Sequence, residues 1–174
     1  MTDIRRPPSD RTIYLMLRMK PPWVFIDEVR RFVESFCACA CPGQGREAQL
    51  ALAVHELMQN AIPHARGGHV DLVLEVEPSA ERVSVEVSNP CTDEEYAALS
   101  ARIAAMYAEP DALTSYLRAM RESPATTRGG LGLPRIRFEA QLDIRTARKG
   151  DRVTVEASGP LRPPPLAIVG GRHA

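Results

Sequence analysis

Two pairs of short segments alternate apolar with polar residues, and this period of two constrains the fold more than any other feature. In the first pair, 69–77 and 82–89, valine or leucine occupies every second position up to Val87. The four residues between them are enough only for a tight hairpin. The second pair, 142–147 and 153–158, surrounds a turn that contains glycine. The sequence therefore predicts two antiparallel hairpins in a sheet that buries one face.

Two longer segments, 23–40 and 46–65, carry apolar residues at steps of three and four, which is the period of a helix. The preceding run, 12–19, is short and apolar and ends before two prolines, as a strand does. Residues 130–140 are predicted to form a shorter helix because Pro134 suits a first helical turn. The predicted order is a strand, two helices, a hairpin, an insert, a helix and a second hairpin.

The insert between the two hairpins, residues 92–128, is predicted to be helical. Thr92 and Glu95 are three residues apart, as in a capping box, so a helix begins there. This order of elements predicts an α/β (α+β) fold. Its architecture would be a two-layer sandwich, with a mixed, mostly antiparallel sheet and helices on one face.

The 174 residues have the composition of one globular domain, predicted to span 11–158 between disordered tails at 1–10 and 159–174. The 22 Lys and Arg balance 22 Asp and Glu, so net charge does not attract the chain to nucleic acid or anionic lipid. No run reaches the roughly 20 apolar residues of a membrane span, and the first residues lack the apolar core of a signal peptide. We therefore expect a cytoplasmic protein with no nucleic acid or membrane partner.

Three polar residues of the second helix, Glu56, Asn60 and His64, are spaced four apart. They drift by only about 40° per step, so they form one polar line beside the apolar stripe. A neutral carboxamide oxygen suits Mg²⁺ that already carries phosphate charge, and a carboxylate one turn away can accept a proton. Pro63 removes one helical hydrogen bond and is expected to kink the segment that holds His64. A solvated helix edge is the alternative explanation of the polar line.

Three glycines within residues 128–133 prevent a regular element there. Within this segment we call Gly129, Gly130, Leu131 and Gly132 the glycine loop. The glycines permit close approach of the backbone, and free N–H groups at the start of the next helix can bind phosphate oxygens. The loop is neither a Walker loop nor a dinucleotide-binding fingerprint, because the lysine and the preceding strand are missing. A structural turn is the alternative.

In this order, the polar line and the glycine loop resemble the GHKL, or Bergerat-fold, ATPases, and the chain is most similar to the anti-sigma-factor serine kinases. The resemblance covers roughly residues 11–158. The family's asparagine box, Glu then Asn then often His at steps of four, matches Glu56, Asn60 and His64. It implies a general base at Glu56 and a Mg²⁺ ligand at Asn60. The glycine loop resembles the family's second glycine box, which implies phosphate contacts, and the insert 92–128 would contain the lid.

The chain departs from the family pattern at the end of the second hairpin strand. The family has an Asp there, followed two residues later by Gly, and this Asp accepts the adenine amino group. In this sequence Asn89 stands at that place, followed by Pro90 and Cys91. The amide oxygen still accepts a hydrogen bond, but charged partners contribute roughly 1.5–3 kcal/mol against about 1 for neutral ones. Adenine binding is therefore expected to be weakened, altered or lost.

The resemblance implies an ATP- and Mg²⁺-dependent serine/threonine kinase-like regulator of the anti-sigma-factor type. It would act by partner switching on a small regulatory protein, anti-anti-sigma-like or sigma-like. The resemblance leaves open whether the chain forms a homodimer. One cleft would be lined by Glu56, Asn60, Asn89, Gly130 and Gly132. The alternative is a non-catalytic, pseudokinase-like binding module that keeps the fold and has lost nucleotide chemistry. Asn89 favours this alternative, whereas Glu56 with Asn60 favours the kinase.

A cluster of three cysteines, Cys37, Cys39 and Cys41, raises the question of a metal or redox site. On a helix only Cys37 and Cys41 share a face, and the fourth soft ligand would have to be Cys91 or a distant histidine. The expected role of these cysteines is packing, as small thiols at the end of a helix.

Overall fold

The structure, a computed structural model, describes residues 12–20, 23–66, 68–122 and 130–162, which form five strands and five helices. The strands are β1 (Ile13–Met19), β2 (Val70–Glu77), β3 (Arg82–Pro90), β4 (Asp143–Lys149) and β5 (Arg152–Pro160). The helices are α1 (Ile26–Ala40), α2 (Glu47–Ala61), α3 (Asp93–Ala108), α4 (Ala112–Glu122) and α5 (Gly132–Glu139). In this part of the chain no helix is long and apolar enough to cross a membrane.

The sheet has the strand order β1-β2-β3-β5-β4, and every neighbouring pair is antiparallel. The prediction of a mixed sheet is corrected in this detail, because two helices, an even number, connect β1 to β2 and return the chain in the opposite direction. Alternate residues of β2 are fully buried while those between them are partly exposed. The helices therefore cover one face, and the predicted α+β sandwich is confirmed.

Helix α2 lies at the centre of the helical layer, where it packs against α1, α5 and β3. It ends at Ala61, and one 3₁₀ turn, Ile62–His64, follows it. The helix was predicted to run to residue 65, but Pro63 has no N–H to continue the ladder. Helix α5 likewise begins at Gly132, two residues later than predicted.

The insert consists of α3 and α4 within the described residues, and the capping box is present at its start. The backbone N–H of Glu95 donates to the Thr92 hydroxyl oxygen (3.2 Å), and the Thr92 N–H donates to the Glu95 carboxylate (2.8 Å). Residues 123–128 of the predicted insert, all of the predicted N-terminal tail 1–10 and residues 163–174 of the predicted C-terminal tail lie outside the described residues. Gly159 and Pro160 were placed in the C-terminal tail, but they extend β5 beside β3.

Arg46 is fully buried at the start of α2, which the sequence analysis did not anticipate. Its guanidinium donates to the carbonyl oxygens of Ala140 (2.6 Å) and Pro160 (3.0 Å). Ala140 is the C-cap of α5, and Pro160 ends β5. Burial lowers the pKa of this arginine. Arg46 thus fastens the end of α5, and with it the helix that follows the glycine loop, to the sheet and to α2.

Candidate functional site

Glu56 and Asn60 lie one turn apart on α2 and face the first residue of α5. A Cβ atom added at Gly132 would lie 2.8 Å from Glu56 Oε2 and 3.3 Å from Asn60 Nδ2. Glycine at this position lets the backbone of α5 approach the two side chains without displacing their ends. The Asn60 Nδ2 atom is buried, and none of the described residues accepts a hydrogen bond from it. The packing of α5 on α2 therefore brings the polar line and the glycine loop together.

The glycine loop opens α5 without a side-chain cap. Gly130 has a φ of 113°, a conformation that favours glycine, and Leu131 is the N-cap residue with no capping side chain. The first amide groups of α5 are therefore available to an anion at this end of the helix. Gly129 lies outside the described residues.

A cavity of about 170 Å³ lies beside Asn60, between α2, the sheet and α3. Its walls are largely apolar, and its lining comprises Leu57, Asn60, Ala61, His64, Val87, Asn89, Cys91, Glu95, Ala98, Leu99, Arg102, Leu133, Val153 and Val155. Pockets for drug-sized ligands usually enclose about 300–1,000 Å³. In this conformation the cavity is smaller than that range.

Asn89 ends the row of β3 residues that face the helices, and it is 4% exposed. Its Nδ2 donates to the carbonyl oxygen of Pro90 (2.7 Å). The side chain is thereby fixed at the cavity wall, and the amide oxygen is the acceptor that it can offer to a ligand. The charge of a carboxylate is missing at this position.

His64 also lines the cavity, but it is held by the insert. Its Nδ1 donates to Glu95 Oε1 (3.0 Å), and Arg66 Nη2 donates to the same oxygen (2.8 Å). The hydrogen bond from the Thr92 backbone, followed by that from His64, lowers the pKa of Glu95 to about 2. Glu95 therefore stays a carboxylate at neutral pH and fastens the start of α3 to the segment after α2.

Glu56 lies outside the cavity lining and forms an ion pair with Arg135 of α5. Arg135 Nη1 donates to Glu56 Oε1 (3.0 Å), and its Nε donates to Glu139 Oε1 (3.1 Å). The Tyr116 hydroxyl of α4 donates to the same Glu139 oxygen (3.0 Å). Burial opposes the charge of Arg135, but the hydrogen bonds to Glu139 and Glu56 raise its pKa. A fixed cation therefore holds the carboxylate that the sequence analysis proposed as a base.

The structure thus distributes the predicted site residues over two adjoining places. Asn60, His64 and Asn89 line the cavity, while Glu56 and Gly132 lie next to Asn60 at its edge. The roles assigned to these residues stay predictions. Arg135 and Arg102 at this site were not predicted from the sequence, and Glu95 was predicted only as part of the capping box, because their places depend on how α3 and α5 pack against α2.

Two of the three clustered cysteines, Cys37 and Cys41, take packing positions, and Cys39 does not. Cys37 and Cys41 are buried and Cys39 is exposed, and Cys41 Sγ donates to the Cys37 carbonyl oxygen (3.0 Å). Burial raises the pKa of the Cys37 thiol to about 12. Among the described residues no group of three or more His, Cys, Asp or Glu side chains is placed to hold a metal ion.

Comparisons with known proteins bear on the family and the fold. Residues 25–156 match the sequence pattern of the family described as the histidine kinase-like ATPase domain. A solved structure with a similar fold is a chain of the SiaB–SiaC complex from Pseudomonas aeruginosa, with a TM-score of 0.63 and 14% identity. The match covers 86% of this chain and 90% of that one. No curated protein matches the chain by sequence.

Proposed function

Because the chain belongs to the histidine kinase-like ATPase domain family, we propose that it is an ATP- and Mg²⁺-dependent serine/threonine kinase-like regulator. It would bind a small regulatory protein and act by partner switching. The observation that carries this proposal is the meeting of Glu56, Asn60 and Gly132, three positions of the polar line and the glycine loop. A carboxylate, a carboxamide and an uncapped helix start can supply a base, a metal ligand and phosphate contacts for phosphoryl transfer.

Asn60 fits a role as the Mg²⁺ ligand. Its Nδ2 has no hydrogen-bond partner among the described residues, so no hydrogen bond from that atom opposes a turn that would present the oxygen to a cation. When bound, Mg²⁺ would offset the negative charge of the phosphates. The first amides of α5 would bind phosphate oxygens. Asn89 would accept a hydrogen bond from the amino group of adenine.

Glu56 fits a role as the general base on the other side of Asn60. Its carboxylate would take the proton of the acceptor serine or threonine hydroxyl as that oxygen bonds to the γ-phosphorus. The bond from the γ-phosphorus to the bridging oxygen breaks, and the nucleotide leaves as the diphosphate. The partner would have to present its hydroxyl at the edge of the cavity, where Glu56 lies.

The solved structure with a similar fold comes from a complex of two proteins, which supports a protein partner for this chain. Zero net charge and a helical layer in which α4 exposes Leu113, Leu117 and Met120 also suit a protein rather than a nucleic acid.

A second candidate function is a non-catalytic binding module, and two observations favour it. Asn89 replaces the charged adenine acceptor, Cys91 stands where the family has glycine, and Pro90 between them stiffens the chain. The Glu56 carboxylate is also engaged by Arg135. Nucleotide binding discriminates between the two candidates, because only the kinase requires it.

Binding of a fluorescent adenine nucleotide, measured with Mg²⁺ and with EDTA, tests the proposed site through Asn60→Ala. We expect the variant to bind about tenfold more weakly with Mg²⁺ and equally in EDTA, because the lost oxygen is a ligand of the metal. Gln59→Ala, which removes an exposed carboxamide from the same helix, is the matched control. Equal weakening under both conditions would contradict a metal ligand at Asn60.

Asn89→Asp tests the departure from the family pattern. Restoring the carboxylate is expected to strengthen adenine binding by roughly 1 kcal/mol, about fivefold, because the hydrogen bond from the adenine amino group becomes charge-assisted. The dissociation constants of the fluorescent nucleotide for the two chains give the result. If neither chain binds nucleotide while circular dichroism shows both folded, the kinase proposal fails and the binding module stands.

A further inference from the structure

Arg135 of α5 pairs with Glu56, the residue proposed as the general base. Arg135 follows Gly132 by three residues, so it lies on the same face of α5, one turn beyond the glycine loop. Its guanidinium bridges Glu56 at 3.0 Å and Glu139 at 3.1 Å, and its side chain is 41% exposed. The arginine is therefore charged, adjacent to the proposed base and reachable from solvent.

The pair between Arg135 and Glu56 occupies one carboxylate oxygen, Oε1, and holds it against α5. A lone pair that accepts a charge-assisted hydrogen bond from a guanidinium is not available to a hydroxyl proton, although a carboxylate has about four such sites on its two oxygens. Release from the arginine therefore frees Oε1 and lets the Glu56 side chain turn toward an acceptor hydroxyl. Release requires another anion that takes the guanidinium.

A terminal phosphate is the anion that fits this exchange. Guanidinium groups bind phosphate oxygens through two parallel hydrogen bonds, as they bind carboxylates. Arg135 already presents two donors, Nε and Nη1, to two different carboxylates. Glu139 keeps a second partner, the Tyr116 hydroxyl, when the arginine leaves. The move therefore leaves one carboxylate satisfied and frees the other.

We infer that Arg135 is the residue that senses the terminal phosphate. Without a triphosphate it holds Glu56, and with a triphosphate it turns to the terminal phosphate and leaves the Glu56 carboxylate free to accept a proton. The inference rests on the proposed function and adds its regulation, because the base is released only when a phosphate that can be transferred is present.

Arg102 is the rival for this role. Among the described residues that line the cavity, it carries the one permanent positive charge. It lies on α3, in the insert, whereas Arg135 lies in the first turn of α5 and pairs with Glu56, the proposed base. The two arginines are distinguished by replacing each with glutamine.

The experiment measures the dissociation constants of two fluorescent nucleotides, an adenosine diphosphate and a non-hydrolysable β,γ-imido triphosphate, with Mg²⁺ present. Arg135→Gln is expected to weaken triphosphate binding about tenfold and to leave diphosphate binding nearly unchanged, because a charge-assisted pair is lost only at the terminal phosphate. Arg31→Gln is the matched control, since it removes an arginine that pairs with Glu28 on the surface of α1. It is expected to change neither constant.

Glu56→Gln provides an independent test with the opposite sign. Removal of the competing carboxylate leaves Arg135 free for the phosphate, so triphosphate binding is expected to strengthen severalfold relative to diphosphate binding. The comparison of the two nucleotides with Glu56→Gln still tests the inference if thermal unfolding shows that Arg135→Gln does not fold.

Three results would overturn the inference while nucleotide binding persists. They are equal effects of Arg135→Gln on the two nucleotides, a selective loss of triphosphate binding in Arg102→Gln instead, and weaker triphosphate binding in Glu56→Gln. If the folded native chain binds neither nucleotide, the proposed function itself fails, and the inference falls with it.

Discussion

Transfer of the γ-phosphate from ATP is expected to fall by about 10²- to 10⁴-fold when Glu56 is replaced by glutamine, the range typical for loss of a general base. Glutamine keeps the shape of the side chain but cannot take a proton at neutral pH. Nucleotide binding is expected to stay at least as tight, because Asn60 and the glycine loop are untouched. The change therefore lowers the rate of transfer and not the occupancy of the site.

The measurement uses ATP labelled at the γ-phosphate and follows label transferred to water and to proteins of a soluble extract. Glu34→Gln, which changes an exposed carboxylate of α1, is the matched control and should retain the native rate. The fold is expected to survive in Glu56→Gln, since Arg135 keeps its ion pair with Glu139. A rate within a few-fold of the native one would mean that Glu56 is not the base.

Arg46→Ala is expected to lower the free energy of unfolding by about 3 kcal/mol, because hydrogen bonds from a charged donor contribute roughly 1.5–3 kcal/mol each and desolvation of the guanidinium offsets part of the two. The change leaves the carbonyl oxygens of Ala140 and Pro160 without their donor and opens a cavity beside α2. Urea unfolding followed by circular dichroism measures the loss.

Arg46→Met separates packing from hydrogen bonding at this position. Methionine fills most of the volume but donates nothing, so it is expected to recover only part of the stability lost in the alanine variant. Arg31→Ala, at an exposed position of α1, should change stability by less than about 0.5 kcal/mol. If Arg46→Ala costs no more than this control, the buried arginine does not fasten α5 to the sheet.

The elements of the fold were predictable because their signals are local. Alternation in β2 and β3 marks one buried face, and steps of three and four mark α1 and α2. The Thr92–Glu95 capping box is also local, and it is present as predicted. Errors lay at the ends of elements, where Pro63 stops α2 and Gly159 continues β5.

The candidate site was predictable only as two separate motifs. Spacing of four placed Glu56 and Asn60 on one face of α2, and three glycines marked a close approach of the backbone. A resemblance to a family was needed to bring the two motifs together, since no period links residues more than 70 positions apart. The structure adds the contact itself, at Gly132.

By itself, the sequence determined the order of strands and helices, the face that each one buries and the residue types of the site, because these depend on neighbours within about four positions. Only the tertiary structure decided the partners of the charged groups. Arg135 and Glu56 are 79 positions apart, and Arg46 and Ala140 are 94 apart. Such pairs form when α5 packs on α2, because a charged group removed from water is stable only with a hydrogen-bond partner nearby. Packing decides which residue is nearby, so no local pattern reveals the pair.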